Sequence, residues 1–148
     1  MPRKPKDAYQ HALSLLGRRE RTTQELRAAL LAKGHPEAEV EPAIARVQAL
    51  GYLDDARVAQ ARARRQLPEG RSRADVTRRL VAHGVSEDVA RRATEEAARD
   101  VDHHDEASAR AFIARRRVTG LKAARLLASR GYEEALIRRV TGLGEGDD

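Results

Sequence analysis

The sequence predicts an all-α protein of three tandem three-helix, helix-turn-helix-like repeats stacked in an elongated, curved array. The first observation behind this is a pattern that occurs three times. A hydroxyl residue is followed by apolar residues four and eight places on and a glycine twelve places on: Thr22, Leu26, Leu30, Gly34, then Ser72, Val76, Leu80, Gly84, then Thr119, Ala123, Leu127, Gly131. The glycines lie 50 and 47 residues apart. Self-similarity at such a period marks a chain that repeats one supersecondary unit, each copy leaving an apolar face for its neighbour to cover. The second observation is composition: 27 alanines and 25 arginines favour helix, and β-branched runs and strand-like alternation are absent. The third is that the joints are short and carry glycine or proline.

The elements follow in order. Tyr9, Ala12, Leu13 and Leu16 mark a first helix, ending at a joint from Gly17 to Arg21. Thr22 opens the second, where its hydroxyl accepts a first-turn N–H and Glu25 completes a capping box. Gly34 closes that helix in the left-handed conformation. Pro36 suits the first position of a third helix, with Val40, Ile44, Val47 and Leu50 as a buried stripe. The second repeat begins with a helix from about Asp55 to Leu67 and a joint from Pro68 to Arg71. Ser72, boxed by Asp75, opens its second helix, and Ser86, Val89, Ala93, Ala97 and Val101 mark its third. The third repeat offers a helix from Asp105 to Arg117, then one opened by Thr119, whose box is incomplete because Lys122 stands at the carboxylate position. A last amphipathic helix carries Leu136, Val140 and Leu143. The expected organisation is a basic flexible arm at 1–7, repeats at 8–53, 54–102 and 103–143, and an acidic tail at 144–148.

Composition narrows the classes. At 148 residues the chain can hold one sizeable core, but 35% charged residues and four large aromatics argue for thin layers. It has no cysteine, which excludes disulfides and thiol chemistry and suits a reducing cytoplasm. No apolar run approaches the ~20 residues needed to span a bilayer, and no apolar stretch follows the basic N-terminal residues as in a secretory signal. A cytoplasmic monomer with no membrane association is expected.

The net charge of +6 is unevenly placed. Arg57, Arg62, Arg64, Arg65, Arg71, Arg73, Arg78 and Arg79 face only Glu69 and Asp75 along their stretch. From Ala107 to Tyr132, Arg110, Arg115, Arg116, Arg117, Lys122, Arg125 and Arg130 occur with no acid. Both runs occupy the same part of their repeat. Stacked in register they form a basic stripe, set against a solvated, compositionally biased surface as the bland alternative. The binding candidates are the eight residues of the first run together with Arg115, Arg116, Arg117, Lys122 and Arg125.

Gly51-Tyr52-Leu53-Asp54-Asp55-Ala56-Arg57, preceded by Glu25-Leu26 and Lys33-Gly34 and followed by a basic second repeat, resembles the RecX family of recombinase regulators over roughly residues 8 to 141. The resemblance implies three three-helix repeats that bind the RecA filament on DNA and restrain strand exchange, ATP hydrolysis and co-protease activity. The basic stripe adds the expectation of non-specific contacts to nucleic-acid phosphates. Val58 and Arg62 stand where the family usually carries aromatics. Read from its residues alone, the Gly51–Arg57 stretch is an inter-repeat joint: Gly51 ends a helix, Tyr52 and Leu53 fold back onto the core, and Asp54 or Asp55 caps the next helix.

No catalytic reading survives. His103 and His104 between Asp102 and Asp105 suggest a metal, but neighbours on a helix face different ways, so a solvated linker is expected. His35 and His83 sit beside helix-ending glycines, where cations suit the dipole. There is no nucleophile elbow and no phosphate loop, so no enzyme, no cofactor and no metal is expected. The alternative to a filament regulator is a tandem helix-turn-helix-like protein that binds duplex DNA directly. The starts of the capped helices, Thr23-Gln24-Glu25, Arg73-Ala74-Asp75 and Gly120-Leu121-Lys122, share no base-reading pattern, and four aromatics are few for stacking single strands.

Overall fold

The computed structural model describes residues 4–144, and among them are nine α-helices and no strand. The first repeat contains α1 (Ala8–Arg18), α2 (Thr23–Ala32) and α3 (Glu37–Ala49). The second contains α4 (Asp55–Gln66), a 3-10 turn (Leu67–Glu69), α5 (Arg73–Ala82) and α6 (Glu87–Asp100). The third contains α7 (Asp105–Arg116), α8 (Gly120–Ser129) and α9 (Glu134–Thr141). Residues 1–3 of the expected arm and 145–148 of the expected tail lie outside the described residues.

The core is divided into three. Ala12, Leu15, Leu26, Leu30, Val40, Ile44, Val47 and Leu53 form one cluster. Ala59, Ala63, Leu67, Val76, Leu80 and Val85 join the alanines of α6 in a second. Ala109, Phe112, Leu127, Tyr132, Leu136 and Ile137 form the third. The repeated positions are equivalent: Leu30, Leu80 and Leu127 are all buried, as are Leu26, Val76 and Ala123 four residues earlier. The accessible surface is 9482 Å², against about 7500 Å² for a compact protein of this mass. Three small cores in a row leave more surface than one large core, as expected for an elongated array.

The first two units open their second helix by the same local chemistry, and all three end it on a glycine of positive φ. Thr22 and Ser72 have extended backbone and accept the N–H of Glu25 and Asp75. Gly84 and Gly131 end α5 and α8 with φ of +99° and +86°, a region L side chains avoid. Asp54 caps α4 by accepting from Ala56 and Arg57.

Several expectations change. Gly17 stays inside α1, which runs to Arg18 before the chain turns. Pro36 is the residue before α3 rather than its first helical position. Leu50 is 51% exposed because it follows the last turn of α3, where the chain has left the helical register of Val40, Ile44 and Val47. Of the pair expected to fold back, Leu53 is buried but Tyr52 is 52% exposed. Val101 likewise follows the end of α6 and is exposed, so Ala90, Ala93, Ala97 and Ala98 carry that helix's packing face. The Ser72–Asp75 box is half made: the Ser72 N–H goes to Arg130 O at 3.1 Å, and Asp75 turns to Arg71 and Arg78. Thr119 stands at the N-cap of α8 as expected, but its hydroxyl accepts no first-turn N–H, so neither half of the box is made there.

Candidate partner interface

With each apolar cluster confined to its own repeat, the repeats are tied largely by polar contacts, and the same joint is built twice. In the first joint the Thr22 hydroxyl donates to His83 O at 2.6 Å, and the Thr23 N–H donates to Asp55 Oδ1 at 2.7 Å. In the second, the Ser72 hydroxyl donates to Gly131 O at 2.8 Å, and the Arg73 N–H donates to Asp105 Oδ1 at 3.2 Å. Each N-cap hydroxyl thus accepts from its own helix and donates to a carbonyl at the C-terminal end of the next repeat's second helix. That satisfies orphan groups at both helix ends. The glycines allow the close approach: a Cβ on Gly84 would collide with Gln24, and one on Gly131 with Asp75 and Ser72.

These joints consume a large part of the predicted basic stripe. Arg62 Nη2 and Nη1 donate to Glu25 Oε1 and Oε2 at 2.7 and 3.3 Å, with only 16% of the Arg62 side chain and 22% of Glu25 exposed. Glu25 also accepts the Thr22 N–H at 2.9 Å and lies 3.2 Å from His83 Nδ1. Burial pushes the Glu25 carboxyl up. The Arg62 hydrogen bonds, the Thr22 N–H and the charges of Arg62 and His83 outweigh it and bring the pKa down to about 2. Arg57 bridges Glu20 and the carbonyls of Gly51 and Tyr52. Arg64 pairs with Asp100, Arg71 and Arg78 with Asp75, and the Arg73 guanidinium donates to His103 O. Arg116 stacks over the Phe112 ring, 5.2 Å from its centroid, as Arg130 does at 4.8 Å.

The remainder have no carboxylate partner among the described residues. Arg65 and Arg79 are exposed and line a cavity of about 430 Å³ at the first joint together with Arg19, Arg62 and His83. Arg115, Arg117, Lys122 and Arg125 are exposed on the third repeat. Arg117 is itself in the left-handed region, φ +54°, which ends α7. Arg19, absent from the predicted stripe, belongs with this set. It lies just beyond α1, and the cavity it lines has walls in α4 and α5.

His103 departs from expectation. It is buried rather than solvated, 7% exposed, with neither ring nitrogen hydrogen-bonded among the described residues. Burial pushes its pKa down, Asp105 Oδ1 at 3.6 Å opposes that shift, and Arg73 and His104 add to it. No group of three metal-ligating side chains occurs among the described residues, and none of their helices is long and apolar enough to cross a membrane.

Residues 8–47 match the family model described as RecX, first three-helix domain. The regulatory protein RecX of Stenotrophomonas maltophilia is 36% identical over 151 residues, covering 94% of this chain and 89% of the relative. The chain belongs to the RecX family. The Thermus thermophilus regulatory protein RecX is 38% identical over 130 residues, with 85% of this chain and 84% of the relative covered. Two crystal structures share the fold. RecX from Lactobacillus salivarius matches with a TM-score of 0.68 at 16% identity, covering 90% of this chain and 91% of that one. A second, described as regulatory protein RecX, gives 0.74 at 19% identity, covering 91% of this chain and 71% of that one. The RecX-type architecture therefore persists where few residues are shared, which fits a scaffold held by repeated helix-end contacts.

Proposed function

We propose that this RecX-family chain binds the RecA filament on DNA and restrains its recombinase, ATPase and co-protease activities, without catalysing a reaction itself. The observation that carries this reading is the division of the cations. After Arg57, Arg62, Arg64, Arg71, Arg73 and Arg78 are taken up by internal contacts, Arg65, Arg79, Arg115, Arg117, Lys122 and Arg125 still lack a carboxylate partner among the described residues. Cations left unpaired on an elongated array suit a long polyanionic surface, such as the phosphates or acidic faces of a nucleoprotein filament.

The duplex-reading alternative is disfavoured by the joints. The starts of α2 and α5, which would have to enter a groove, are covered by Asp55 and Asp105 of the following repeat. The test is capture of RecA by this protein with and without single-stranded DNA and an ATP analogue. Preference for assembled filament supports the proposal. Equal capture of free RecA, or tight binding to one duplex sequence with no effect on RecA, overturns it.

A further inference from the structure

The twice-built joint has a fixed chemistry. The covering half is the first turn of a helix, with a hydroxyl N-cap and a carboxylate three residues on: Thr22 with Glu25, then Ser72 with Asp75. The receiving half is the C-terminal end of the next repeat's second helix, a basic-type residue followed by glycine: His83-Gly84, then Arg130-Gly131. The carboxylate crosses the joint in the first case and stays within its own repeat in the second, where Asp75 pairs with Arg71 and Arg78. Glu25 Oε2 is 3.2 Å from His83 Nδ1, and Asp75 lies against Gly131.

The first repeat carries the same receiving half, and among the described residues nothing covers it. Lys33-Gly34 stands at the register of His83-Gly84, Gly34 has φ +93°, and no described atom lies within 4 Å of where its Cβ would be. The carbonyls of Lys33 and Gly34 accept no hydrogen bond from another described residue, whereas those of His83 and Gly131 accept hydroxyls. Around it the surface is cationic: Lys4, Lys6, Arg18 and Lys33 line a cavity of about 440 Å³ with His11 and Ser14, and His11 Nδ1 contacts His35 Nε2. None of those four cations has a carboxylate partner among the described residues, and the Asp7 carboxylate is occupied by the Gln10 N–H.

We propose that this face is an open half-joint that docks the acidic first turn of a helix from a partner protein, a turn with Ser or Thr at the N-cap and Asp or Glu three residues on. Such a turn supplies both missing groups, an anion for the cations and a hydroxyl donor for the helix-ending carbonyls, whereas a phosphodiester supplies only the anion. A second copy of the chain does not fit. Its own exposed covering half is Thr119 with Lys122, which would set Lys122 against Lys33. Lys122 at that position therefore disfavours head-to-tail addition of a second copy. The inference stands on the joint geometry and is independent of the filament proposal.

The experiment uses the full chain, isotope-labelled, titrated with a synthetic peptide of the sequence of residues 21–33. The expected result is movement of the Lys33, Gly34 and His35 amide resonances. The dissociation constant should rise at least tenfold when the peptide carries Glu25→Lys or the chain carries Lys33→Glu. In a second measurement, Lys122→Glu should give the full chain concentration-dependent head-to-tail association by sedimentation, reversed by adding Lys33→Glu. Equal binding of the Glu25→Lys peptide, stronger movement of the same resonances by inorganic phosphate or a 5′-phosphorylated oligonucleotide, or a Lys122→Glu chain that stays monomeric at ~1 mM would each overturn it.

Discussion

Replacing Glu25 by Gln isolates the ion pair at the first joint, because Gln at that position still returns a hydrogen bond to the Thr22 N–H and keeps the box. What is lost is the charge that Arg62 and His83 face. Two routes give its size. The carboxyl falls from 4.5 to about 2 on folding, and at ~1.4 kcal/mol per unit that is roughly 3 kcal/mol of stability at neutral pH. Stranding a mostly buried guanidinium, 16% exposed, costs roughly 2–3 kcal/mol, below the ~3–5 kcal/mol of a fully buried pair. Because the folded pKa is depressed, the contribution is complete above about pH 4.5 and is lost as the pH falls toward 2. Denaturant unfolding followed by circular dichroism should show Glu25→Gln about 2–3 kcal/mol less stable than the parent at pH 7, with the two curves converging toward pH 2. A loss under ~0.5 kcal/mol at pH 7, or one that does not change with pH, would refute the assignment of Glu25 and Arg62 as the tie between repeats.

Gly34→Ala and Gly131→Ala separate backbone strain from steric fit. The first places a Cβ in open space at φ +93° and should cost only ~1–2 kcal/mol, whereas the second also collides with Asp75 and Ser72 and should cost clearly more; equal losses by thermal melting would count against the joint. Leu80→Ala should cost ~2–5 kcal/mol, since Leu80 is 1% exposed in the middle core, and a melting temperature lowered by less than a degree would deny its burial. His103 is held below its ordinary pKa by burial, so its contribution is full above about pH 6.5 and declines as the pH falls. His103→Leu should flatten the stability profile between pH 7 and 5, and an unchanged slope would mean that His103 does not titrate on unfolding.

Much of the fold was legible because the signals are local. A hydroxyl, two apolar residues at helical spacing and a glycine specify a capped helix from its own sequence, and the register repeats. The misses at Leu50, Tyr52 and Val101 occur just past helix ends, where helical periodicity no longer says which way a side chain points. The candidate interface was legible only as an excess of charge. For several of the arginines, whether they are free or tied depends on partners more than 30 residues away, as in Arg62 with Glu25 or Arg64 with Asp100. A signal for this was present in the equal spacing of Thr23 to Asp55 and Arg73 to Asp105, 32 residues in each case. His103 was misread because burial at an inter-repeat joint leaves no mark in a polar stretch.

The most direct test of the account is binding to RecA-coated single-stranded DNA by the parent and by a variant with Arg65, Arg79, Arg117, Lys122 and Arg125 all changed to Ala, each across a range of salt. All five side chains are exposed and without a carboxylate partner among the described residues, so helicity and melting temperature should be retained. The parent should bind the filament with an affinity that falls steeply with salt and should slow ATP hydrolysis and strand exchange at less than one molecule per RecA, whereas the variant should bind and inhibit weakly, with a shallower salt slope. A variant that binds and inhibits like the parent, or a parent whose binding is indifferent to salt, would contradict the account.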